Sequence, residues 1–114
     1  MTGRGLISLA VAAVVLLAAC TRKEDRVLFG GHFYNAKAEA VDRKGDRTLF
    51  RVTVPDVAVS LENAVQAGAY EATRYCIENY GSSRILWEIG PETEPQNLPI
   101  EKGKLMLRGR CIRP

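Results

Sequence analysis

Residues 60–81 read SLENAVQAGAYEATRYCIENYG, from Ser60 to Gly81. Ser60 is an N-cap residue, whose hydroxyl can accept from a backbone N–H of the first turn. Gly81 stands where a helix ends in a left-handed turn that a side chain disfavours. Between these caps Leu61, Val65, Ala69, Ala72 and Cys76 recur at spacings of three and four, which predicts one amphipathic helix to about Tyr80 with that stripe facing a core. Its small residues let it lie close to a sheet. Glu71, Arg74 and Glu78 fall at three- and four-residue spacings on a solvated charged face.

Around this helix the periodicity changes to two. From Phe33 to Val41, Tyr34, Ala36, Ala38 and Ala40 alternate with Asn35, Lys37 and Glu39. Lys44-Gly45-Asp46 supplies a turn, and Thr48 to Val54 alternates Phe50, Val52 and Val54 against Leu49, Arg51 and Thr53, the second arm of a hairpin. After the helix, Arg84 to Ile89 carries Ile85, Trp87 and Ile89 on one face, where Trp87 reads as core. Gly90 to Pro99 holds three prolines without periodicity and reads as a loop. Lys104 to Cys111 gives the last strand, with Leu105, Leu107, Gly109 and Cys111 in phase. The order β-β-α-β-β predicts an α+β, two-layer domain: one helix packed on a four-stranded, mainly antiparallel sheet whose other face is open.

Chemistry-bearing patterns are sparse. The one histidine, His32, follows the Gly30-Gly31 pair and reads as an ordinary turn neighbour, and neither a nucleophile elbow nor a zinc-helix motif occurs. Glu92 and Glu94 lie in the proline-rich loop, where nothing visible in the sequence raises a carboxyl pKa. No catalytic residue, metal site or cofactor is expected. On the open face the alternation places Lys37, Arg51, Arg84, Met106, Arg108 and Arg110, interrupted by Glu39 and Glu88. Arg51, Arg84, Arg108 and Arg110 are thus the candidate partner-binding residues. They form either a solvated face or a docking surface for an acidic protein, an anionic lipid headgroup or a cell-wall carboxylate. With 16 basic and 13 acidic residues the net charge is only +3, and no basic run interleaves with aromatics, so nucleic acid is not an expected partner.

The first twenty residues carry a different message. Arg4 precedes an apolar run from Leu6 to Ala19, and Thr21-Arg22-Lys23-Glu24-Asp25-Arg26 turns polar at once, the plan of a secretory signal. At about 1.5 Å per residue, Gly5 to Ala19 reaches about 22 Å, short of the about 30 Å of a bilayer's hydrocarbon. Leu17-Ala18-Ala19-Cys20 resembles a bacterial lipobox. That resemblance covers residues 1–20 and implies a diacylglyceryl thioether on Cys20, cleavage before it and acylation of the new amine. Two or three chains on one residue anchor stably, where a single myristoyl chain holds marginally. Thr21, where an aspartate would follow in retained lipoproteins, implies sorting to the outer membrane with the domain in the periplasm.

Removing residues 1–19 from 114 leaves 95, enough for one compact domain, and the expected division is a signal peptide over 1–19, a lipidated cysteine and tether over 20–32, and a domain over 33–114. Three cysteines are present, so lipidation of Cys20 leaves Cys76 and Cys111. In an oxidising compartment an even remainder reads as one disulfide, and both residues point into the same core. Inert buried thiols and a redox pair are the alternatives, the latter without C-x-x-C spacing. The functional expectation is an envelope lipoprotein, tethered to the membrane through its lipid, whose domain is a non-catalytic interaction or accessory module for an envelope protein or anionic envelope component. The alternative is a ligand-binding or sensing domain that uses the open basic face.

Overall fold

The computed structural model describes residues 26–114, so the signal segment and Cys20 lie outside the described residues. The fold is the expected α+β arrangement, one helix on an open antiparallel sheet. Strands β1 (Lys37–Ala40) and β2 (Leu49–Val54) lead into helix α1 (Leu61–Tyr80), followed by β3 (Ile85–Ile89), β4 (Ile100–Glu101) and β5 (Lys104–Cys111). The sheet order is β1-β2-β5-β3, all pairs antiparallel, and β4 pairs with β5 beyond the end of β3. The last strand of the sequence is thus central, because its alternation continues over eight residues, long enough to pair with β2 on one side and with β3 and β4 on the other.

β4 makes the sheet five-stranded rather than four. Lys102 (φ 54°) and Gly103 (φ 75°) are both left-handed, the conformation of a two-residue hairpin turn whose twist matches the strands. The proline-rich loop is otherwise irregular apart from one 3₁₀ turn at Pro95–Asn97.

Both helix caps form as the sequence predicts. The Ser60 hydroxyl accepts from the Asn63 N–H at 3.2 Å, and Gly81, at φ 70°, donates its N–H to the Ile77 carbonyl at 2.9 Å. The buried stripe, however, is Ala64, Ala67, Gly68, Ala72 and Cys76, so the helix is rotated from the expected line. Leu61, Val65 and Ala69 lie half-buried on its flank. Close approach decides this rotation. A Cβ at Gly68 would come within 2.8 Å of Leu107 Cδ1 and 2.9 Å of Val54 Cγ2, so the helix crosses β2 and β5 where it carries no side chain. Phe50, Val52, Val54, Leu105 and Leu107 are fully buried beneath it. At about 25 cal/mol per Å² of apolar surface, this layer is the main source of stability.

The amino-terminal turn packs onto the helix. Residues 29–32, assigned to the tether, form a tight turn in which Phe29 and His32 exchange backbone hydrogen bonds of 2.9 and 3.1 Å. Phe29 packs edge-on against Tyr70 of α1 at 5.9 Å between ring centres. β2 and β3 each start one residue inside their periodic runs, and β1 falls furthest short of its own, because β2 ends at Val54, before Pro55, and Lys37 is the last residue with a partner, Thr53.

Candidate functional site

The sheet's open face carries the candidate partner-binding arginines, and its register shows what happens to the charges there. Glu39, Arg51 and Arg108 lie directly opposite one another across β1, β2 and β5. Two arginines side by side would repel, but each has its own carboxylate on the outer strand. Arg51 Nη2 donates to Glu39 Oε1 at 2.9 Å, and Arg108 Nε lies 3.0 Å from Glu88 Oε2. Arg51 holds the Glu39 carboxyl below the usual glutamate range through that hydrogen bond and its charge. Arg110 pairs with Asp46, whose carboxylate also accepts from the hydroxyl and N–H of Thr48. Those hydrogen bonds, from Thr48 first and Arg110 next, lower the Asp46 pKa from 3.8 to about 2.

Three of the four candidate arginines are therefore brought together on one face, each neutralised within the chain. Arg84 is the exception. It precedes β3 at the sheet edge and is exposed, without an ion pair among the described residues.

Cys76 and Cys111 are bonded, with Cα atoms 5.4 Å apart, and both are buried. The bond joins the last turns of α1 to the end of β5, beside the Cys111 N–H that donates to the Thr48 carbonyl at 2.8 Å. Asp46, Thr48, Arg110 and the disulfide thus lock one end of the sheet from both faces.

His32 Nε2 is 3.1 Å from Asp56 Oδ2, and its ring stands edge-on to Tyr34 at 4.6 Å. The pair ties the amino-terminal turn to the loop before α1, where Asp56 adopts a left-handed φ of 63°. Among the described residues no three histidine, cysteine or acidic side chains converge at metal-binding distance.

One surface was not expected from the sequence. Leu61 and Val65, rotated out of the core line, face Pro91, Pro95 and Leu98 of the loop across a groove of about 780 Å³. Glu62, Glu92 and Glu94 rim it, and no basic side chain lines it. Glu92 and Glu94, expected at a solvated loop tip, stand here on one wall. The signal in the sequence was the lone apolar Leu98 within a polar loop, buried in the structure, and prolines at 91, 95 and 99 that stiffen the backbone opposite the helix. An apolar floor with an acidic rim suits a segment carrying both apolar and basic side chains.

Among the described residues no helix is long and apolar enough to cross a membrane. No protein-family model, no curated protein and no solved structure matches the chain.

Proposed function

We propose that the chain is an envelope lipoprotein held at the membrane through Cys20, with residues 26–114 acting as a non-catalytic interaction module. The observation that carries this reading is the Cys76–Cys111 bond. It takes two of three cysteines and leaves Cys20, at the end of Leu17-Ala18-Ala19, as the sulfur for a lipid. A disulfide also suits an oxidising compartment. Cys20 lies only six residues before Arg26, so the tether to the packed turn at Phe29 is short.

The helix–loop groove supplies the docking surface, and its occupant is a basic, partly apolar segment of an envelope protein. The competing reading, ligand binding on the open basic face, draws on Arg84 and Lys37, because Arg51, Arg108 and Arg110 are already paired with carboxylates. Two measurements test the proposal. Cys20→Ser should abolish incorporation of labelled palmitate and either release the protein from the membrane or leave it unprocessed with residues 1–19 attached; unchanged labelling contradicts the anchor. A photo-crosslinking residue at Gln66, on the groove, should give a discrete adduct in intact cells that Glu62→Lys/Glu92→Lys weakens. Adducts from Thr53 on the open face, and none from Gln66, would favour the competing reading.

A further inference from the structure

The sheet ends on β3 in a strand whose outer backbone is unpartnered. Ile112 N–H donates to the Arg84 carbonyl at 2.9 Å, and Leu86 is in register with Arg110. In an antiparallel ladder the inward-bonding residues alternate, so Arg84 and Leu86 bond toward β5, and the N–H and C=O of Ile85 and Trp87 point outward. No described residue hydrogen-bonds to those four groups. Helix α1 lies over β1, β2 and β5 and leaves this edge uncovered. Leu86 is 63 % exposed, the largest exposure among the described large apolar side chains. An apolar edge without lysine or proline invites another strand.

We propose that β3 pairs antiparallel with β3 of a second copy of this chain, in a two-fold register centred on Leu86. The edge itself selects that register. Only residues whose backbone groups both point outward can exchange hydrogen bonds, which admits two-fold axes through a residue and excludes those between residues. An axis through Leu86 sets Ile85 opposite Trp87 twice, giving four backbone hydrogen bonds, with Leu86 against Leu86. It also sets Arg84 of each copy opposite Glu88 of the other, on the open face. An axis through Trp87 would instead oppose Leu86 with Glu88, and one through Ile85 would oppose Leu86 with Arg84. The Leu86 axis alone matches charge with opposite charge and apolar with apolar. It gives Arg84 a share in the Glu88 carboxylate that Arg108 already holds at 3.0 Å within its own chain, and the contact is isologous, so it closes at a dimer. The register shift between Trp87 and Ile89 ends the regular edge, so the ladder stops at these four bonds. On the helix side the same pairing covers Ile85 and Trp87, both half-exposed.

The test uses the full chain in intact cells. In a non-hydrogen-bonded pair the two Leu86 Cα atoms lie about 4.5 Å apart, within the about 4.4–6.8 Å that a disulfide spans. Leu86→Cys should therefore yield, on mild oxidation, a reductant-sensitive species of twice the chain mass. Lys37→Cys, on the opposite edge, should not. As a second arm, differently tagged copies of Arg84→Glu and Glu88→Arg should each fail to co-purify with themselves yet co-purify with each other, since the mixed pair restores both charge matches. Doubling no greater for Leu86→Cys than for Lys37→Cys overturns the proposal, as does capture of a different protein by Leu86→Cys. Loss of the mixed pair overturns the register.

Discussion

Neighbouring residues of the same strands do opposite work on the two faces of this sheet. Phe50, Val52, Leu105 and Leu107 point toward α1 and are fully buried, whereas Arg51, Thr53, Met106 and Arg108 point the other way and remain partly exposed. On the helix side the layers are held by close packing of small helical residues over large sheet residues, and by one covalent bond. On the open side they carry a row of matched charges. Exposed ion pairs contribute little net stability, because solvent screens them and holding two long side chains costs entropy. Folding energy therefore resides on one face, and the other face and the outer edges contribute little to it.

The largest break in that comparison should come from adjacent positions of β2. Phe50→Ala removes a ring that packs against Tyr75 and Trp87 at 5.5 and 5.7 Å and should cost about 3–5 kcal/mol. Arg51→Ala, one residue along, should leave the urea midpoint almost unchanged. Equal losses from the two would refute the division between faces.

Next comes the covalent bond. Cys76→Ala/Cys111→Ala should lower stability by about 2–4 kcal/mol, the usual range for a closed loop of this size. The sheet should remain folded by circular dichroism, because the apolar layer stays.

A smaller effect is expected at the helix crossing. Gly68→Ala gains about 1 kcal/mol in helix propensity but drives its methyl against Leu107 and Val54, an overpacking that costs about 1–3 kcal/mol. The net should be a modest destabilisation by thermal melting, and a stabilised variant would mean the helix can lift from the sheet.

The smallest effect belongs to the open face and is read from pH. Because the folded Asp46 pKa is lowered from 3.8 to about 2, its contribution is complete above the ordinary carboxylate range and is lost as pH falls through about 2. Melting temperatures of the native chain and Asp46→Asn should differ above pH about 4 and converge toward pH about 2. Curves that run parallel across that window would show that Asp46 is not held by Thr48 and Arg110.

Much of this fold was legible because its signals are local. Ser60 and Gly81 are capping residues whose chemistry acts within one turn, and the alternations of β2 and β5 follow the two-residue period of a strand. What escaped reading depended on contacts distant in sequence. The face that α1 buries was set by the space over Leu107 and Val54, which no helical period reveals: Leu61 and Val65 are the more apolar side chains, yet Ala64 and Gly68 fit. The turn at Gly30-Gly31 was legible, but its packing onto the domain was not, because the partner of Phe29, Tyr70, lies on α1. β4 is two residues long, too short for periodicity, and only its turn glycine hinted at it.

At the candidate sites the same limit held. Alternation placed Arg51, Arg108 and Arg110 on one face, but their carboxylates, Glu39, Glu88 and Asp46, come from other strands and a loop, so the neutralisation was invisible. The groove needed two segments about thirty residues apart in the chain to meet.

The state of all three cysteines can be read at once by intact-mass analysis of the protein from the membranes of a lipoprotein-processing bacterium, alkylated without prior reduction. A chain beginning at Cys20, with acyl chains on that residue and no alkylated cysteine, is the predicted species. A chain that begins at Met1 with Cys20 alkylated, or one in which Cys76 and Cys111 both take up the reagent, would contradict the lipoprotein reading.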